Sequence, residues 1–344
     1  MSEEKSFRAE IQPLPTEVQR PLWSVMIPTY NCASYLRETL ASVLAQAPGS
    51  ELMQIEVVDD HSIQDDPEAV VKELGKGRVA FYQQPENVGY IRNFETCLQR
   101  SRGQLIHLLH GDDCVRPKFY QKMQTLFENY PEIGSAFCRQ IIVDEQGQWK
   151  RFSILEQEES GLLSNWLERI ATNLSLQTPS VVVKREVYEK LGGFDRRMLS
   201  CGEDWEMWTR IAAHYSVAYE VEPLVLYRDR SNSLTKRSVR TGQNIRDVRK
   251  ATEIIESYLS EVLPITTSKK AIHQVRELWA FWAMHFAQQM IDEGDFDPAI
   301  IQMQEGLKCS RSSKVIKTVV GLMIRLGKHQ LKQVIKSSTE IMKK

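Results

Sequence analysis

From Trp23 onward, short apolar runs alternate with stretches whose apolar residues recur every three or four positions. Residues 24–28 (SVMIP) read as a buried strand. Residues 31–46 read as a helix that presents Leu36, Leu40, Val43 and Leu44 on one face. A strand over 54–58, a helix from Pro67, a strand over 78–83, a helix over 90–100 and a strand over 105–109 continue the alternation. Strands separated by helical crossovers pair in parallel, so the pattern predicts an α/β fold with a mostly parallel central sheet and helices on both faces. From Ala136 the alternation loosens. IIVDEQGQW (141–149) reads as strand with an internal turn, 164–171 as a helix, and the following stretch as mixed structure.

Past Asn244 the periodicity is helical throughout. Residues 278–307 are spaced like a helical hairpin turning at Glu293, Gly294 and Asp295, similar to one tetratricopeptide-type unit. The expected organisation is a flexible leader over 1–21, punctuated by Pro13, Pro15 and Pro21, then an α/β domain over 22–240 and an all-α region over 241–344. In 314–336, Lys317, Arg325, Lys328, Lys332 and Lys336 share one side of a helical wheel. Val315, Ile316, Val319, Val320, Met323 and Leu326 take the other. Such a helix either docks on its own domain with a solvated face or attaches peripherally to anionic lipid.

A 42% hydrophobic, 26% charged composition with net charge −1 excludes wholesale disorder and gives no global pull toward nucleic acid. The six cysteines show neither a CxxC pair nor zinc-site spacing, which fits a reduced, cytoplasmic compartment. The polar, acidic N-terminus reads as neither signal peptide nor anchor. No apolar run approaches the length of about 18 residues that a spanning helix needs.

Three acid pairs fall at predicted strand or helix ends: Asp59/Asp60, Asp112/Asp113 and Glu203/Asp204. Any one alone reads as a turn residue or helix cap. Together at the carboxyl edge of an α/β sheet they need a neutralising partner, which a divalent cation with a diphosphate supplies.

The ordered motifs VMIPTYN (25–31), VVDDHS (57–62), NVGYIRN (87–93), LLHGDD (108–113), LGGFD (191–195) and GEDWEMW (202–208) resemble those of family 2 glycosyltransferases of the GT-A fold, over about 210 residues. The resemblance implies transfer of a sugar from a nucleotide-sugar, UDP-sugar favoured, to an acceptor hydroxyl with inversion, in polysaccharide or glycoconjugate assembly. It places Pro28 and Tyr30 along the nucleotide, Asp60 as acceptor for a uracil-like imide, and Arg92 near the diphosphate. Asp112 would contact the ribose or a metal-bound water, and Asp113 would ligate Mn2+ or Mg2+. Asp204 would be the general base, with Glu203 and Trp205 on the acceptor side. Trp205 and Trp208, three apart on a helix, are ambiguous and read more often as core than as faces that stack on a sugar. Two positions depart from the family pattern. His110 replaces the usual first acid of the metal-binding element, where hydrogen bonding is favoured over ligation, and Arg230 stands where a histidine is common and would pair with phosphate.

A nucleotidyltransferase would carry a Gly-rich basic loop where this chain has PTYN, and a Rossmann dehydrogenase would carry GxGxxG there. The remaining rival is a catalytically silent nucleotide- or sugar-binding scaffold whose helical region recruits partners. Glycan or lipid-linked acceptors fit the transferase reading, as does a cytoplasmic location with or without contact at the inner membrane face.

Overall fold

The computed structural model describes residues 7–15, 19–231 and 233–341, with side chains placed through residue 330. In chain order the elements are β1 (Trp23–Thr29), α1 (Ala33–Leu44), β2 (Met53–Asp59), α2 (Pro67–Gly75), β3 (Ala80–Gln83), α3 (Tyr90–Arg100), β4 (Leu105–Leu108), β5 (Cys114–Val115), α4 (Phe119–Asn129), β6 (Ile133–Val143), β7 (Trp149–Phe152) and β8 (Gly161–Leu162). They continue with α5 (Trp166–Ile170), β9 (Val181–Lys184), α6 (Arg185–Leu191), α7 (Glu203–His214), β10 (Ser216–Arg228), α8 (Leu234–Val239), α9 (Gln243–Val262), α10 (Ile265–Glu293), α11 (Phe296–Cys309) and α12 (Ser313–Ile341).

One sheet runs in the order β3-β2-β1-β4-β9-β6-β10-β5, with β7 added to β6 and β8 to β10. β3, β2, β1 and β4 are mutually parallel, and antiparallel β9 sits between β4 and β6. β6 pairs in parallel with β10, so six strands share one direction. This is the mostly parallel α/β sheet that the alternation predicts. Every residue of β1 and β2 is buried, because helices cover both faces, and that explains their unbroken apolar runs. Leu36, Leu40 and Val43 of α1 pack with Val25, Ile27 and Ile55 in the core. The looser second half resolves into a hairpin: β6 continues past β9 to pair with β7 through a turn at Asp144 and Gly147. Helix α4 was not anticipated, although Phe119, Met123, Leu126 and Phe127 give it a buried stripe at helical spacing.

The chain divides into two compact units. One holds residues up to Ile170 with Leu174–Arg196 and Glu203–Ser231; the other holds Ala171–Asn173, Arg197–Gly202 and the chain from Asn232. Within the second unit, α10 and α11 form the hairpin expected from the sequence, turned by Gly294 in the left-handed region. Gly306 lets the two helices approach: a Cβ there would lie 2.9 Å from the Ala283 Cβ. Helical structure begins at Leu234, ahead of Asn244.

The expectation of a flexible leader is corrected over residues 7–12. Ile11 is 1% exposed, Arg8 bridges to Asp195 and pairs with Glu206 at 3.0 Å, and Gly193 N–H donates to the Ala9 carbonyl at 2.8 Å. Buried Arg185 donates to the Gln12 carbonyl. A buried arginine needs such acceptors, and prolines further along do not remove them. Residues 1–6 and 16–18 lie outside the described ones.

Candidate active site

The acid pairs arise at the end of β2, in the loop that follows β4 and at the start of α7, and the loops after β1, β2 and β4 lie at one edge of the parallel half of the sheet. After β1, Asn31 adopts the left-handed region (φ 49°), and its Oδ1 accepts the Ile63 and Gln64 N–H groups. The first two loops are thereby tied together. Asp59 accepts from Thr29, from both donors of Ser62 and from Gln83, so it acts as the loop's internal cap. Asp60 is buried, and its oxygens accept the Val88 and Gly89 N–H groups at 2.8 and 3.0 Å. Burial raises its pKa, and the two N–H groups oppose that.

The loop after β4 is pressed against the first. Gly111 N–H donates to the Pro28 carbonyl at 3.1 Å, and a Cβ at Gly111 would meet Thr29 Cγ2 at 2.7 Å and Cys32 Sγ at 3.0 Å. Pro28 is itself buried within β1, whereas Tyr30 is 43% exposed at the loop's rim. Asp113 Oδ1 accepts the Arg228 backbone N–H at 2.8 Å. Asp113 Oδ2 lies 3.5 Å from His110 Nδ1, and neither Oδ2 nor His110 Nε2, both buried, has a hydrogen-bond partner among the described residues. His110 stacks on Phe94 with centroids 5.3 Å apart. Asp112 takes an ion pair from Arg230 at 3.1 Å, and Arg230 also lies over the Tyr35 ring.

Glu203 and Asp204 open α7, where free backbone N–H groups favour anions. Burial nevertheless dominates. It pushes Asp204 up to about 6, against the Trp205 N–H and the neighbouring His110. Burial and the adjacent Asp204 charge raise Glu203 to about 8, although Tyr90 donates its hydroxyl to Glu203 Oε2 at 3.0 Å. Burial lifts Asp113 to about 6. Burial lowers the His110 pKa, but the carboxylates of Asp113, Asp112 and Asp204 outweigh that and raise it. The site thus gathers acids that are costly to ionise around one imidazole, an arrangement that a bound cation would relieve. One ligand atom from each of His110, Asp112 and Asp113 falls within a 4.8 Å set, so these three could hold a metal.

Of the acceptor-side residues, Trp205 is corrected. It is fully buried, and its Nε1 donates to the Ile170 carbonyl at 2.7 Å, so it belongs to the core and offers no face to a sugar. Trp208 is buried against Phe194. Arg92 is exposed on the first turn of α3.

Sequence reasoning missed Arg228. Its Nε donates to the Asp112 carbonyl and its Nη1 to the Glu145 carbonyl, while Nη2 pairs with Glu38 at 2.5 Å and the group lies over Tyr35. Only its place in LYRDRS, beside Arg230, hinted at it. Tyr90, in NVGYIRN, was equally unremarked and reaches Glu203.

An acid-lined sheet edge with two loops clamped over it, on this parallel-strand scaffold, is the arrangement of the GT-A type of α/β fold. Sequence comparison agrees. Residues 24–192 match the profile of "Glycosyl transferase family 2" and residues 139–263 that of "Glycosyltransferase like family 2". The chain belongs to glycosyltransferase family 2. It is 29% identical over 239 residues to an uncharacterized protein of Mycobacterium tuberculosis, covering 66% of this chain and 73% of that one. An uncharacterized glycosyltransferase of Rickettsia typhi is 27% identical, over 60% of this chain and 64% of its own length. An uncharacterized glycosyltransferase of Mycoplasma genitalium is 28% identical, and the match spans only 43% of it.

Among solved structures, residues 1–349 of S. aureus TarS with UDP-GlcNAc align at TM-score 0.54 and 16% identity, over 82% of this chain and 90% of that one. The mannosyltransferase PcManGT of Pyrobaculum calidifontis, with GDP-Man and Mn2+, aligns at TM-score 0.51 and 17% identity, over 95% and 90%. At these identities the likeness is one of fold. No helix among the described residues is long and apolar enough to cross a membrane.

Proposed function

We propose that the protein transfers a sugar from a nucleoside-diphosphate sugar, a UDP-sugar in preference, to an acceptor hydroxyl with inversion at the anomeric carbon. The acceptor is a glycan or lipid-linked hydroxyl in polysaccharide or glycoconjugate assembly. One observation carries the reading: Asp113 Oδ2 and His110 Nε2 are buried without a hydrogen-bond partner among the described residues, His110 Nδ1 lies 3.5 Å from that Oδ2, and two further carboxylates with raised pKa values lie at the start of α7. Such groups are costly to hold without a cationic partner.

Tyr30, exposed at the rim, lies against the base. Asp60 keeps lone pairs beyond those taken by Val88 and Gly89, and these accept the base imide. Arg92 and Arg230 face the diphosphate; Arg230 leaves Asp112 or bridges it to phosphate, as its fork of donors allows. Asp113, with Asp112 and His110, would hold Mn2+ or Mg2+, and the imidazole tilts that donor set toward Mn2+. A bound cation there supplies Lewis-acid stabilisation of the departing diphosphate. Asp204 takes the proton from the acceptor hydroxyl as its oxygen attacks. A pKa of about 6 makes it a stronger base than an ordinary aspartate while leaving it mostly ionised at neutral pH. Glu203, held by Tyr90, orients the acceptor. The free cysteines, five of them buried, fit a cytoplasmic location.

Calorimetry with UDP, GDP, dTDP and CDP, with and without Mn2+, tests the reading. The expected result is metal-dependent binding of UDP that is lost in Asp113→Ala. Absence of binding by any nucleotide under any metal would leave the silent-scaffold reading in its place.

A further inference from the structure

Helix α12 carries two separate apolar stripes. Val315, Leu322 and Leu326 are 0%, 5% and 5% exposed and seat the helix on its own unit. At 100° per residue they span about 40° of arc. The wheel in the sequence groups Ile316, Val320 and Met323 with them, and the structure separates these residues. Ile316, Val320, Met323 and Ile324 are 45%, 53%, 49% and 56% exposed, and they form a second stripe about 120° around the helix. Gly321 and Gly327 meet nothing within 4 Å.

The third sector, completing the circle, holds Lys314, Lys317, Arg325 and Lys328. Arg325 pairs with Asp292, while the three exposed lysines have no acidic partner among the described residues. Lys332 and Lys336 lie beyond the residues whose side chains are described. Residues 310–339 contain seven Lys or Arg and no Asp or Glu.

The geometry points to α12 as an interfacial membrane helix: the second apolar stripe enters the headgroup boundary of an anionic bilayer, and the lysine sector contacts its phosphates. Four neighbouring aliphatic side chains on a solvent-facing surface need a cover, and the charge decides which. A second copy of this helix would set lysines against lysines with no carboxylate to neutralise them. An anionic lipid surface supplies the missing charge and accepts the aliphatic groups at once. The inference stands on α12 alone and is independent of the donor-site reading.

Flotation of the full chain with phosphatidylcholine vesicles, with and without phosphatidylglycerol, tests it. The protein is expected to float only with the anionic vesicles. Replacing Lys314, Lys317 and Lys328 by Gln is expected to weaken partitioning about fivefold per lysine, on the order of 100-fold together. The triple variant Val320→Ser, Met323→Ser, Ile324→Ser, whose side chains are exposed and so tolerate the change, is expected to abolish flotation with the thermal transition and UDP binding unaltered. The inference is overturned if the wild type floats with neither vesicle, or if either variant floats as well as the wild type. It is equally overturned if light scattering shows a dimer in solution that the serine variant dissolves.

Discussion

Arg228 and Asp113 are joined by the Arg228 backbone N–H, which donates to Asp113 Oδ1 at 2.8 Å, and the Arg228 guanidinium adds a second tie to the same loop by donating to the Asp112 carbonyl at 3.0 Å. The end of β10 thus sets the position of the acid loop after β4. The same guanidinium reaches the β6–β7 turn at Glu145 and a helix α1 carboxylate at Glu38. One side chain therefore fixes three segments around the proposed metal ligands.

Replacing Arg228 by Ala leaves the backbone bond to Asp113 but strips the half-buried Asp112 carbonyl of its donor. We expect a stability loss of about 1–3 kcal/mol for the unsatisfied group and weaker Mn2+-dependent UDP binding. Urea unfolding together with calorimetry reads both; unchanged values in both would detach Arg228 from the acid loop.

Asp204→Asn retains the shape of the α7 start and removes the proposed proton acceptor. Transfer is expected to fall by about 100- to 10,000-fold while UDP affinity stays near wild type. Parallel loss of nucleotide affinity would move Asp204 from the acceptor side to the donor side.

The raised carboxylates give a pH signature. A group whose folded pKa exceeds its unfolded one favours the folded state below the unfolded value and loses that contribution as pH rises through the folded value. For Asp113 and Asp204 the window runs from 3.8 to about 6, and for Glu203 from 4.5 to about 8. The metal-free protein should lose thermal stability across this range, and Mn2+ should raise the melting temperature more at pH 8 than at pH 5. A Mn2+ effect independent of pH would disconnect the cation from these acids.

Trp205→Ala is expected to cost about 3–5 kcal/mol of stability by leaving a cavity, and to orphan the Ile170 carbonyl besides. Trp205→Phe should keep most of the packing and leave acceptor preference unchanged. A shift in acceptor preference at equal stability would return Trp205 to the acceptor site.

The strand-helix alternation made the first half of the fold legible, since β1 and β2 are buried on both faces and their apolar runs say so. The acid clusters were legible because they interrupt those runs. Periodicity leaves Trp205 between core and acceptor side, because it cannot tell which side of a helix meets a ligand and which meets α5, where burial puts it. Packing of residues 7–12 was invisible for a related reason: it depends on acceptors for Arg8 and Arg185 nearly two hundred residues distant in sequence. Likewise Arg228 is one of 44 basic residues until the antiparallel β10–β5 pairing brings it beside Asp113.

Asp60 holds the turn from which α3 departs, because Val88 and Gly89 hang from its two oxygens and Gly89 is that helix's N-cap. Under the proposed base contact, a mutation that alters Asp60 therefore also loosens the start of the helix that carries Arg92 and Tyr90. On that proposal, base preference and local foldability are inherited together, so drift toward another nucleotide proceeds through the neighbouring rim, at positions such as Tyr30, before it touches Asp60.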